Sequence, residues 1–235
     1  MSLAVAERFV SINGEGLEAG RLATFVRFCG CNLQCSYCDT RWACDPAFAG
    51  CILSVDEVVN YVVSAGCRCV TLTGGEPLLQ PSCEELVDKL VHARTAEGQG
   101  FRVELETNGA VSLAELAALR RDNEADEMAG SLVFTMDWKC PSSGMTDRML
   151  VGNLTHLGAS DALKFVVGSR EDLECMRALV QQYHLAEQTN VLLSPVFGQI
   201  EPSDIVAFMK EFDLVDVKLQ LQLHKFIWPL SQRGV

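Results

Sequence analysis

Leu22-Ala23-Thr24-Phe25-Val26-Arg27-Phe28 runs directly into Cys29-Gly30-Cys31-Asn32-Leu33-Gln34-Cys35-Ser36-Tyr37-Cys38-Asp39-Thr40. The first seven residues read as a buried strand, rich in aromatic and β-branched side chains. The Gly- and Asn-bearing loop after it sets Cys31, Cys35 and Cys38 in a C-x3-C-x2-C pattern. Three thiolates so close together can hold three irons of a [4Fe–4S] cluster and leave the fourth open to another ligand. A structural zinc site and buried free thiols are the alternatives. Zinc would want a fourth protein ligand in tetrahedral geometry. Cys29 or Cys44 could be nominated, but Cys29 falls at the end of a strand and Cys44 has no spacing signature. The cluster reading is therefore preferred.

Further strands are expected at Cys69–Thr73, Phe101–Glu106, Leu132–Asp137, Ala162–Val167, Val191–Ser194 and Val215–Leu219. Most read as near-continuously apolar, as strands covered on both faces should. Capping boxes mark helix starts between them at Ser54-x-x-Glu57, Ser82-x-x-Glu85 and Ser112-x-x-Glu115, with a weaker one at Ser169-x-x-Asp172. Pro202 sits where a first-turn proline belongs. This is the βα repeat, in about six units, fewer than a closed barrel contains. A partial, open (β/α) TIM-type barrel in one domain, residues 1–235, is expected. Ligands of such sheets lie at the carboxyl ends of the strands. Five loops converge there: Cys31 to Thr40, Gly74 to Pro77, Thr107 to Gly109, Lys139 to Ser143 and Ser194 to Phe197.

With 49% apolar and 21% charged residues, the composition is that of an ordinary globular protein. The first residues lack the basic and apolar regions of a secretory signal, and no apolar run approaches the ~18 residues of a membrane span. The expected compartment is cytoplasmic, where clustered cysteines among the eleven present bind metal more often than they pair. A formal net charge of −12 and no run of Lys or Arg argue against direct nucleic-acid binding and favour a small-molecule substrate. The cysteines outside the triad, among them Cys51, Cys67, Cys69, Cys83 and Cys175, have irregular spacings, so a single cluster is expected.

Gly74-Gly75-Glu76-Pro77 alone could be a strand-ending turn. After the cysteine loop it reads as a place where a ligand approaches backbone, because glycine carries no side chain to block it. The two elements together, with Tyr37 before the last cysteine, resemble the radical S-adenosylmethionine (SAM) superfamily. Nearly the whole chain resembles one family within it, the 7-carboxy-7-deazaguanine synthases of the 7-deazapurine (queuosine) pathway. The matching stretches are Ser11-Ile12-Asn13-Gly14-Glu15-Gly16, Phe25-Val26-Arg27-Phe28 and Cys38-Asp39-Thr40. Gly74 to Pro77, Glu106-Thr107-Asn108-Gly109, Asp137-Trp138-Lys139 with Pro141-Ser142-Ser143, and Gln222-Leu223-His224-Lys225-Phe226 complete the set.

The resemblance implies a carbon–nitrogen lyase that converts 6-carboxy-5,6,7,8-tetrahydropterin to 7-carboxy-7-deazaguanine with ring contraction and loss of ammonia. It implies cluster ligation by Cys31, Cys35 and Cys38, with SAM on the open iron. SAM would lie against Tyr37, Cys38 and Asp39, with Gly74, Gly75 and Glu76 receiving its ammonium. Gly109, Cys140, Pro141, Ser142, Ser194, Pro195, Val196 and Phe197 would complete its cradle. Ser194-Pro195 departs from the Gln-Pro of some members, which puts a side-chain contact at Ser194 in doubt. The pterin would meet Ile12, Asn13, Gly14, Glu15, Arg27, Thr107 and His224, with Lys225 nearby and the Val235 carboxylate as a further contact. Asn13 stands for a Gln common in the family. Thr40 would ligate Mg²⁺, which takes oxygen ligands from protein, water and substrate. The family also implies a homodimer; the chain has no flavin fingerprint of its own, so an external flavodoxin or ferredoxin is expected as electron donor, and the product could enter either tRNA modification or a secondary metabolite.

Blander roles stand beside these. Glu15 could be an exposed loop acid, Thr40 a cap, and His224 a packing residue. Arg27, costly if unpaired in an apolar strand, suits a carboxylate through its two-pronged geometry but could instead meet an acidic neighbour. Two other identities compete: a radical SAM activating enzyme acting on a protein glycyl site, and a non-catalytic zinc-binding module. The Ser11–Gly16 opening and Arg27 argue against the first, and Gly74–Pro77 against the second.

Overall fold

The computed structural model describes every residue except Met1, Pro46, Ala47, Ala49, Glu124, Ala125 and Leu230. Nine strands form one sheet: β1 (Ser2–Ile12), β2 (Leu22–Phe28), β3 (Cys51–Ser54), β4 (Cys69–Gly74), β5 (Arg102–Thr107), β6 (Ser131–Trp138), β7 (Ala162–Val167), β8 (Asn190–Pro195) and β9 (Val217–Leu219). Their order is β3-β1-β2-β4-β5-β6-β7-β8-β9, and its two ends do not meet. From β2 to β9 neighbouring strands run parallel, whereas β1 pairs antiparallel with both β2 and β3. The open barrel expected from the βα repeat is present, extended at one edge by two antiparallel strands that the sequence reading did not assign. Phe101 and Val215 fall just outside the strands expected to begin with them.

The helices are α1 (Arg41–Cys44), α2 (Val55–Ala65), α3 (Cys83–His92), α4 (Ala114–Asn123), α5 (Arg170–Tyr183), α6 (Leu185–Gln188), α7 (Pro202–Glu211) and α8 (His224–Ile227). Ser54 and Glu57 form the reciprocal capping box at α2, and Ser169 accepts from the Asp172 amide at α5. Pro202 occupies the first turn of α7. Two expected boxes do not form. Ser82 precedes α3 without a side-chain cap bond, and Ser112 lies two residues before α4, where its Oγ accepts from the Ala114 amide at 3.2 Å. The crossover from β6 to β7 has no α-helix; 3₁₀ turns at Pro141–Ser143, Thr146–Arg148 and Val151–His156 take its place.

The strands of the barrel are not apolar on both faces. Val70, Leu72, Val103, Leu105, Phe134, Met136, Leu163 and Phe165 are fully buried and join the helix residues Leu86, Leu90, Leu116, Met176 and Ile205 in one core. The opposite parity carries Thr71, Thr73, Glu104, Glu106, Thr135, Asp137, Lys164 and Ser194, which bond one another or the loop at Glu15. Helices cover one face of the sheet. The other face is polar and lines the barrel interior.

Candidate active site

The cysteine loop leaves the carboxyl end of β2 and is held there by close backbone packing. Gly75 is required: a Cβ on it would lie 1.7 Å from the Gly30 carbonyl oxygen. The Gly75 amide donates to Phe28 O at 3.1 Å, and the Glu76 amide to Gly30 O at 2.9 Å. The chain approached by these glycines is thus the one that leads into the cysteines. The Glu76 side chain is fully buried and turned inward, accepting from Asn108 N at 2.7 Å, Thr107 Oγ1 at 2.9 Å and Leu78 N at 3.1 Å. Burial pushes this carboxyl up to about 7 against those three bonds. Glu76 and Thr107, both expected at ligands, spend their side chains on each other.

Around the triad, Cys31 Sγ accepts from Leu33 N at 3.4 Å and from Asn108 Nδ2 at 3.5 Å. Asn108 was not assigned a role from sequence, though it lies inside the matched Glu106–Gly109 stretch. Cys44 on helix α1, which has no signature spacing, is the chief influence on the other two thiols, lowering Cys31 and Cys38 to about 6 while its own thiol is raised. Burial raises Cys35. Among the described residues, no group of three or more His, Cys, Asp or Glu is gathered so that it could hold a metal ion, so cluster ligation by Cys31, Cys35 and Cys38 rests on the pattern of the loop, in which two of the thiols are drawn toward thiolate.

Other predicted cofactor residues gather at the same rim. The Ser36 amide donates to Ser143 O at 3.1 Å and Ser36 Oγ to Ser142 O at 2.5 Å, stitching the cysteine loop to the loop after β6. Tyr37 donates its hydroxyl to Val166 O at 3.2 Å, and burial raises its pKa. The Cys140 thiol is buried against Asp172 O at 3.8 Å, and the Ser142 amide donates to the Asp172 carboxylate at 2.8 Å, so both residues are anchored to the first turn of α5. Gly109 has φ of +74° and its carbonyl accepts from Leu150 N. Val196 N bonds Val167 O, with Pro195 buried beside it, while Phe197 is exposed and meets Phe226 edge-on at 6.3 Å.

Thr40 precedes α1 without making a side-chain cap bond, leaving its hydroxyl 3.9 Å from Cys38 Sγ. The neighbouring Asp39 carboxylate lies 3.4 Å from Lys225 Nζ. Partial burial would raise it, but the charges of Lys225, His224 and Arg27 hold it below its ordinary value.

Among the residues expected at the pterin, the structure separates some that the motif lists together. Asn13 is buried, with its amide donating to Glu104 Oε2 at 3.3 Å and accepting from Thr71 Oγ1 at 2.9 Å. Its backbone N–H and C=O bond Arg21 and Gly20, so its groups serve the loop's shape. Ile12 closes β1 as partner of Leu22. Gly14 is covered by His224, whose Nδ1 lies 2.2 Å from where a Cβ would be, and Gly14 O accepts from Leu223 N. Burial lowers the His224 pKa. Glu15 is not an exposed acid: its carboxylate takes Lys164 Nζ at 3.2 Å and Ser194 Oγ at 3.1 Å. The Ser194 hydroxyl is thus spent on Glu15. Arg27 does find an acidic neighbour, pairing through Nε with Glu7 Oε1 at 2.8 Å. No hydrogen bond ties the Val235 carboxylate to the site among the described residues. Gln220, missed from sequence, clamps Gly16 with bonds of 2.8 and 2.7 Å.

The profile of the Radical SAM superfamily matches residues 25–132. The chain is 44% identical over 235 residues to a 7-carboxy-7-deazaguanine synthase from Clostridium acetobutylicum, covering all of both chains. It is 33% identical to one from Chlorobaculum tepidum, covering 99% of this chain and 97% of that one. It is 35% identical to one from Methanospirillum hungatei, covering 95% and 84% respectively. A crystal structure of QueE from Escherichia coli superposes with a TM-score of 0.67 at 19% identity, covering 94% of each chain, and so shares the fold.

Proposed function

The chain belongs to the 7-carboxy-7-deazaguanine synthase family of radical SAM proteins, and we propose that it converts 6-carboxy-5,6,7,8-tetrahydropterin to 7-carboxy-7-deazaguanine as a carbon–nitrogen lyase. The observation that carries this reading is the opening of the cysteine rim onto a polar barrel interior that holds Glu15, Lys164, Asp137 and Arg27. A plain electron carrier would have no use for such an interior.

Cys31, Cys35 and Cys38 would hold the cluster, and the backbones of Tyr37 to Asp39, Gly74 to Glu76, Gly109, Cys140 to Ser142 and Ser194 to Phe197 would cradle SAM. When bound, cluster and SAM supply the radical that removes a hydrogen atom from the pterin. The protein's part is placement. The carboxylate of Glu15, fixed by Lys164 and Ser194, suits the adjacent N–H donors of the amino-pyrimidine edge. The Arg27 guanidinium, with Nε committed to Glu7, keeps its Nη atoms for the substrate carboxylate. Its strand neighbours hold it partly buried, where a charge-assisted bond is stronger. Thr40 Oγ1 would bind Mg²⁺ beside that carboxylate. A homodimer, a flavodoxin or ferredoxin donor, and onward use of the product in tRNA modification complete the proposal.

Oxygen-free incubation of the iron-loaded protein with the tetrahydropterin, SAM and a reductant tests the reading. Formation of 7-carboxy-7-deazaguanine with 5′-deoxyadenosine supports it. Cleavage of SAM without the deazaguanine would point to a different substrate.

A further inference from the structure

Strand β1 changes face partway along its length. Leu3 and Val5 belong to the helix-side core with Val26 and Phe28. Phe9 instead stacks on Phe25 at 5.0 Å, in a separate cluster with Ala23 and Cys69. Alternation in a regular strand would keep Leu3, Val5, Glu7 and Phe9 on one side. The register accounts for the switch. Val5 lies opposite Phe28 and Glu7 opposite Arg27, so Ala6 is an extra residue against a single step of β2. Such a bulge re-aims the side chains beyond it. Arg8 now lies over the Tyr61 ring of α2, 4.6 Å from its centre. Glu7 is turned into the barrel interior, where its Oε1 takes Arg27 Nε at 2.8 Å. The two side chains are 19% and 17% exposed.

We infer that Glu7 is a positioning residue for the substrate, delivered to Arg27 by the bulge in β1. The inference rests on the reading of Arg27 as the contact for the pterin carboxylate. An arginine side chain is long and flexible, and it binds best when its planar fork is already oriented. Glu7 occupies the Nε edge of that fork. The described residues give the two Nη atoms no hydrogen-bond partner, so the end-on edge is presented to a carboxylate in two-pronged geometry. Glu7 also carries a charge that opposes a second carboxylate nearby. Removing it therefore has two effects of opposite sign, and variants matched in charge separate them.

Iron-loaded protein with SAM and Mg²⁺ but no reductant is titrated, without oxygen, with two ligands. One is 6-carboxy-5,6,7,8-tetrahydropterin and the other is 5,6,7,8-tetrahydropterin, which lacks the carboxyl group. Glu7→Gln keeps an acceptor for Nε, and Glu7→Ala removes it at the same charge. The alanine variant should bind the carboxylated pterin at least roughly tenfold more weakly than the glutamine variant, the scale of a lost charge-assisted bond. Both variants should bind the carboxyl-free pterin and SAM equally well, and in turnover the gap should lie in KM rather than kcat. Glu7→Leu, larger and likewise without an acceptor, carries the same comparison if the alanine variant is unstable. Equal affinity of the charge-matched variants for the carboxylated pterin would overturn the role of Glu7. So would an equal loss for both pterins, which marks general damage to the pocket. Parent protein that does not prefer the carboxylated pterin would instead sink the reading of Arg27 itself.

Discussion

Replacing Glu104 with Gln should make the protein more stable, and by more as the pH rises. Glu104 is 4% exposed, forms no ion pair in the structure, and accepts from Thr135 Oγ1 at 2.6 Å, Asn13 Nδ2 at 3.3 Å and Thr71 Oγ1 at 3.5 Å. Burial, reinforced by the nearby Glu106 charge, pushes its pKa from 4.5 up to about 7. The folded state thus holds this proton more tightly than the unfolded chain does. Its contribution is fully present below pH 4.5 and is lost as the pH climbs through 7. A rise of two to three units at 1.36 kcal/mol each makes the loss about 3 kcal/mol by pH 8.5. Gln has the same shape and cannot ionise. Its carbonyl can keep the Asn13 and Thr71 bonds, while its amide donates to a rotated Thr135 hydroxyl. Urea denaturation of parent and variant from pH 5 to 8.5 is the assay. The stability difference should grow in the variant's favour by about 3 kcal/mol over that range, or by several degrees in Tm. A difference that stays flat with pH would refute the reasoning, because Glu104 would then ionise as freely in the fold as outside it.

Other outcomes follow from the site. Gly75→Ala forces a methyl group into the Gly30 carbonyl, so the variant should lose most of its iron, measured as iron per chain after anaerobic reconstitution. Arg27→Ala should raise KM for the pterin by roughly tenfold or more, the scale of a lost charge-assisted bond, while SAM affinity measured by equilibrium dialysis stays unchanged. Thr40→Ala, losing a hydroxyl that makes no cap bond, should erase the response of rate to added Mg²⁺ without altering helix content by circular dichroism. Single replacement of Cys31, Cys35 or Cys38 by Ala should abolish SAM cleavage, and replacement of Cys67 should not.

The parallel strands and their rim loops were legible because each is announced locally, by an apolar run, a turn and often a serine cap. Strands β1 and β3 were not, for different reasons. In β1, Ser2–Ile12 mixes Glu7 and Arg8 into an edge whose burial alternates irregularly, and its register shifts between Val5 and Glu7, so neither a period of two nor a continuous apolar run survives. β3 has only four residues and pairs with β1 alone, too short to signal itself.

The polar lining of the barrel, by contrast, was written in the sequence and went unread. Thr71-Leu72-Thr73, Glu104-Leu105-Glu106, Thr135-Met136-Asp137 and Lys164-Phe165 alternate polar with apolar side chains, and in a strand that alternation assigns the two sets to opposite faces. Taking the strands as apolar throughout hid four ionisable side chains, Glu104 and Lys164 buried and Glu106 and Asp137 half-buried, that face the barrel interior. The motif match had a complementary limit. It names positions, but a position near a ligand can serve it by touching or by holding what touches. Asn13, Glu76 and Thr107 lie in matched stretches, yet their side chains bind Glu104, Thr71 and one another. That choice depends on partners 58 and 91 residues away for Asn13, and 31 residues away for the Glu76–Thr107 pair. Only the folded register brings such partners together, so contact and support within one motif cannot be told apart until the barrel has closed around them.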